Sequence, residues 1–142
     1  MSRQDLHRQL QKQEARFNEL QNGVRNISTS DTITTAVARI LTKAPELQEF
    51  VLGSCRFTTY SLKGSMMREV ILRRRREAPD TKLYLIVVSD QLPAKREKVL
   101  EWHLARQIAS ACLRVFNGGK SRRKLRSEAD DLATSWGFTP VE

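Results

Sequence analysis

Little in this chain offers covalent or redox chemistry. Its 142 residues include two cysteines, Cys55 and Cys112, and two histidines, His7 and His103. None falls at a zinc-finger or knuckle spacing, so no metal site and no cofactor is expected. No Ser-His-Asp order is readable, and His103, beside Trp102 in a helical stretch, reads as structural. The N-terminal MSRQDLHRQLQKQ lacks the apolar core of a signal peptide. The expectation is therefore a protein that is not secreted, with reduced, buried thiols in a cytoplasmic-type compartment or at a nucleoid or nucleus. The longest unbroken apolar run, Leu83–Val88, is far too short to span a bilayer, and no membrane partner is expected. Aromatic residues are 6% of the chain. Phe57 and Tyr60 fall in a strand-like segment and are able to stack on unpaired bases, although such residues serve more often in a core.

What the chain has in excess is positive charge. The net charge is +9, and the pI is about 10.2. Residues 1–62 carry a net +2, residues 63–126 a net +11, and residues 127–142, without a single Lys or Arg, a net −4. Solubility needs only a net charge of roughly 2–8 in a small domain. A block of +11 is the footprint of a polyanion binder.

Three basic clusters carry this charge. The first is Arg68 with the run Arg73, Arg74, Arg75 and Arg76. On a helix four successive residues cover most of the circumference, and on a strand they alternate between faces. Either way most of these guanidiniums reach solvent or an anion, and their fork matches phosphate oxygens. Glu69, Glu77 and Asp80 are too few to neutralise Arg68, Arg73–Arg76 and Lys82. The second cluster is Lys95, Arg96 and Lys98. The third is Lys120, Arg122, Arg123, Lys124 and Arg126, in NGGKSRRKLRSE. Its GGKS resembles the end of a phosphate-binding loop. However, Arg114 stands where the first glycine belongs, and the segment follows a helix. Cations at a helix start oppose its dipole, so they are a poor choice for helix stability alone.

Residues 2–27 read as a helix with a seam of Leu6, Leu10, Gln13, Phe17, Leu20, Val24 and Ile27, in steps of four and three. That seam either pairs two copies of the chain or packs on its own domain. Ser30 or Asp31 caps a second helix that ends before Pro45. A short helix over Pro45–Leu52 follows, closed by Gly53. Ser54–Leu62 and Lys82–Ser89 read as strands, the latter apolar enough to be buried on both faces. Between them Ser65–Glu77 is expected to be a helix, since Met66, Met67, Val70 and Ile71 fall at helical spacing. The alternative is a strand, Arg68–Arg75, in a hairpin with Lys82–Ser89. A long helix from Pro93 to about Asn117 and a last one over Arg123–Trp136 complete the chain. ADDLATSWGFTP has the cadence of half a helix-turn-helix, but it is acidic and reads as a closing structural helix.

The expected architecture is a helix-rich single domain, α+β or α/β, with a sheet of two or three strands. An N-terminal helix over 1–27 precedes a basic body over 28–142. The expected function is non-enzymatic binding of DNA or RNA, mainly through phosphates, by a self-associating accessory protein. A second reading is an adaptor that holds an acidic protein. A third is a small metal-dependent nuclease using Asp80-Thr81-Lys82 with Glu69 or Asp90, since an acid-x-lysine triplet is able to hold a divalent ion and activate water.

Overall fold

The structure, a computed structural model, describes residues 2–62, 67–73, 82–116 and 122–140. It is an α+β arrangement in the order α1 (Arg3–Arg25), α2 (Asp31–Lys43), α3 (Gln48–Ser54), β1 (Cys55–Tyr60), β2 (Met67–Arg73), β3 (Lys82–Ser89), α4 (Glu97–Phe116) and α5 (Arg122–Ser135). Short 3₁₀ turns at Pro45–Leu47 and Leu92–Ala94 precede α3 and α4.

The helix starts follow local chemistry. The Ser2 hydroxyl accepts from the Asp5 N–H at 3.1 Å, which caps α1. The Ser30 hydroxyl accepts from the Ile33 N–H at 3.4 Å, so Ser30 and not Asp31 caps α2. Each such cap contributes about 1 kcal/mol. Helix α2 stops at Lys43 because Pro45 pushes Ala44 out of the helical region, to φ −129° and ψ 69°. Ile33, Val37, Ile40 and Leu41 line its buried side. They meet Leu100, Leu104 and Ile108 of α4 and Tyr84, Ile86 and Val88 of β3 in one core.

That core also takes the end of α1. Leu20 and Val24 are buried, Ile27 joins them just past the helix, and Phe17 packs against the group. Gly23 lies over Leu52 of α3, close enough that a methyl group there would meet the Leu52 side chain at ordinary contact distance, 3.5 Å. The rest of the seam behaves otherwise. Every residue from Arg3 to Arg16 is exposed, including Leu6 at 51% and Leu10 at 55%. The heptad thus divides: its last turns are intramolecular packing, and its first turns form a free arm of roughly 20 Å at 1.5 Å per residue.

The sheet has the order β1-β3-β2, with β1 parallel and β2 antiparallel to β3. The helix expected over Ser65–Glu77 is therefore wrong where the chain is described: Met67–Arg73 is a strand paired with Lys82–Val88. Helical propensity of Met and Arg lost to the hydrogen-bond ladder offered by β3 and to the β-branched pair Val70 and Ile71. The outer edge of β1 is closed by residues 27–29: the Phe57 N–H donates to the Ile27 carbonyl, and the Thr29 N–H to the Phe57 carbonyl. The strand β2 forms the other edge.

A second expectation is also corrected. The apolar strand β3 is buried on one face only. Tyr84, Ile86 and Val88 lie in the core, whereas Leu83, Leu85 and Val87 are half-buried and outside it. The helices occupy one side of the sheet, and the side chains of β1 and β2 flank the central strand on the other. Strand β1 divides in the same way, with Cys55 and Phe57 buried and Arg56, Thr58 and Tyr60 on the second face.

Candidate nucleic-acid interface

The cations of the basic block occupy three kinds of position. Arg68 is exposed on β2, in register with Val87 of β3. Arg73 closes β2, its backbone opposite Lys82. Arg74, Arg75 and Arg76 follow it and lie outside the described residues, as does Lys120. Lys95 and Arg96 are exposed between the 3₁₀ turn and α4, and Lys98 is exposed in the first turn of α4. Arg122 opens α5, followed by the exposed Arg123, Lys124 and Arg126. The 3₁₀ turn places Lys95–Lys98 beyond Pro93, so α4 starts later than the proline suggested.

The described cations of these clusters are spread along α4 and the sheet. Helix α5 packs on α4, with Arg106 Nε 2.6 Å from Asp130 Oδ1, so that the start of α5 lies toward the end of α4. Arg122–Arg126 therefore stand beside Arg114, about 25 Å along α4 from Lys98 at 1.5 Å per residue. Along the sheet, Arg68 and Arg73 are separated by about 17 Å at 3.3 Å per residue. Arg68 and Lys95–Lys98 gather toward the C-terminal end of β3. Arg73 lies toward its N-terminal end, and α4 runs back over the sheet in that direction.

Among the described residues the ion pairs engage Arg39, with Glu97 at 2.9 Å and Glu101 at 3.3 Å, and Arg106, with Asp130. No ion pair among the described residues engages Arg68, Lys95, Arg96, Lys98, Arg123 or Arg126. Beside Lys95 is an open depression of about 300 Å³ lined by Asp31, Thr35, Arg39 and Glu97. Its charges balance, and Arg39 is held by two carboxylates, so it does not extend the basic surface.

Burial and the neighbouring cations Arg106 and Lys95 push the pKa of His103 down. Burial, then the nearby Glu46, pushes the Cys112 thiol up, and Cys55 is buried; both thiols are free. Among the described residues no three of His, Cys, Asp and Glu come together as metal ligands. Asp80 and Thr81 lie outside the described residues. No helix among the described residues is long and apolar enough to cross a membrane.

Sequence reasoning named Tyr60 and Phe57 together without separating them, and it did not single out Arg56. Tyr60 is 68% exposed, whereas Phe57 is 1% exposed and belongs to the core. Arg56 lies on the same sheet face as Tyr60, its Nη1 donating to the carbonyls of Leu52 and Cys55 at 3.2 and 2.7 Å. Alternation along the strand separates Tyr60 from Phe57, but only once the strand boundaries are known. Compared with known proteins, the chain matches no family model, no curated protein and no solved structure.

Proposed function

We propose that this protein binds nucleic acid without catalysing a reaction on it, gripping the phosphate backbone with the cations of residues 63–126. The observation that carries the reading is a set of exposed cations within that block that no ion pair among the described residues engages: Arg68, Lys95, Arg96, Lys98, Arg123 and Arg126. Internal ion pairs would make them part of the fold, and solubility alone does not require them. Their separation suits a long polyanion better than a compact anion such as a nucleotide. Two groups some 25 Å apart match several successive phosphates along one strand. The exposed arm of α1 supports self-association, which would multiply the phosphates held by one assembly.

The test is salt dependence. With about six phosphates neutralised, affinity for a duplex or a single strand falls roughly a thousandfold between 50 and 200 mM salt. A flat response, or equal affinity for an acidic protein and for nucleic acid, removes the proposal and leaves the adaptor reading. Sequence discrimination is weak, because the contacts are with phosphate and not with base edges.

A further inference from the structure

Among the described residues the second face of the sheet is partly exposed, although Ser89 at its end, in register with Tyr60, is buried. The centre of this face is apolar, with Leu85 and Val87 half-buried and outside the core. Val70 on β2, 38% exposed, lies across from Leu85. One tyrosine and two arginines surround this strip. Tyr60, 68% exposed, ends β1, Arg68 is exposed opposite Val87, and Arg56 is in register with Leu85. No strand residue described on this face is acidic. A large aromatic ring left in water while Phe57, three residues before it, is fully buried has no packing reason to be there.

Resting on the nucleic-acid reading above, we propose that this sheet face is a platform for single-stranded nucleic acid, with Tyr60 stacking one base and Arg68 holding a neighbouring phosphate. The geometry suits a single strand. Thr58, Val87 and Arg68 form one row across three strands, so Arg68 stands about 10 Å across the sheet from β1, at about 4.8 Å per strand spacing. That is of the order of one to two nucleotide steps from Tyr60. A duplex has its bases stacked inside and offers none to Tyr60, whereas an unpaired strand offers each base in turn. The apolar strip seats the flat faces of bases, and the charge is complementary to the backbone. A pair of arginines is an unfavourable face for a second copy of the same face, and the exposed Asp90 lies just past β3, its N–H donating to the Tyr60 carbonyl. Arg56, tied to the end of α3, keeps its charge there in a fixed place.

The test compares wild type, Tyr60→Ala, Tyr60→Phe and Arg68→Gln by fluorescence anisotropy, with an oligo(dT) strand, an oligo(U) strand and a duplex of equal length. Wild type is expected to bind the single strands, and Tyr60→Ala to weaken that binding about tenfold or more, while Tyr60→Phe retains it. Duplex binding is expected to be unchanged by Tyr60→Ala. Arg68→Gln is expected to weaken single-strand binding and flatten its salt dependence by about one phosphate. Circular dichroism verifies that each variant is folded, as expected for exposed sites. If wild type binds single strands and Tyr60→Ala binds them equally well, the platform is refuted and the phosphate reading stands. Binding of the duplex alone likewise refutes the platform and leaves the phosphate reading in place. If wild type binds neither form, both readings fall. If Tyr60→Ala lowers the sedimenting mass, the face belongs to a contact between copies, and the platform is refuted.

Discussion

Gly23 is the one glycine inside α1, and glycine in a helix interior costs about 0.5–1 kcal/mol relative to alanine. A methyl group there meets Leu52 at an ordinary 3.5 Å. Gly23→Ala is therefore expected to stabilise the fold by that amount and to raise Tm by about 2–4 °C in thermal unfolding. His103 supplies a pH dependence of known sign. Burial, with Arg106 and Lys95, lowers its folded pKa below the ordinary 6.5. The unfolded chain then takes up a proton first, so stability is lost as pH falls below about 6.5 and reaches its floor below the folded pKa. Denaturation of His103→Gln is expected to show a shallower loss than wild type between pH 7 and 5. Single residues were also where sequence reasoning was sharpest and bluntest. Ser30 as a cap follows from its hydroxyl and its place before an apolar face. The exposure of Tyr60 depends on which neighbour of β1 is the core, and that is a tertiary fact.

At the scale of elements, α1 is two things in one helix. No described residue before Phe17 is buried, and Leu20 and Val24 are in the core. Removing residues 2–16 is expected to leave circular dichroism and Tm of the body nearly unchanged and to lower the mass seen in sedimentation. An unchanged mass would mean that the arm does not join copies. A cut extended to residue 25 takes Leu20 and Val24 out of the core and is expected to destabilise the protein by several kcal/mol. The heptad was readable, but its division was not, because the spacing of Leu6 and Leu10 is the same as that of Leu20 and Val24. The misreading of β2 has a similar root. Over Met67–Arg73 local propensity and tertiary pairing disagree, and only the partner strand decides. The strong elements α2, β3, α4 and α5 were legible because composition, caps and periodicity agree in each.

For the whole molecule the question is how much of the +9 belongs to binding. Changing Arg73, Arg74, Arg75 and Arg76 to Gln keeps length and polarity while removing four charges. Stability is expected to change by no more than about 0.5 kcal/mol per site. The slope of binding against salt is expected to shrink by up to about four phosphate equivalents. A variant that unfolds or precipitates instead would assign these arginines to the fold. The clustering of cations in the sequence was plain. Their division between the two ends of α4 and of the sheet was not, since it follows from the packing of α5 on α4 and from the register of β2 on β3.

The strand order β1-β3-β2 carries a consequence for synthesis. The central strand is the last of the three to be made, so neither β1 nor β2 has its partner in the sheet until residues 82–89 have left the ribosome. Until then Cys55 and Phe57 lack the strand that flanks them, and β2 lacks every ladder bond it makes with β3. Closing the sheet demands long-range pairing late in the chain's emergence, which is slow and leaves apolar edges available to other nascent chains. In hydrogen exchange a fragment ending at residue 81 is expected to show no protection in β2 and, in β1, at most that of the Phe57 N–H on the Ile27 carbonyl, and the full chain is expected to gain the rest of both strands together.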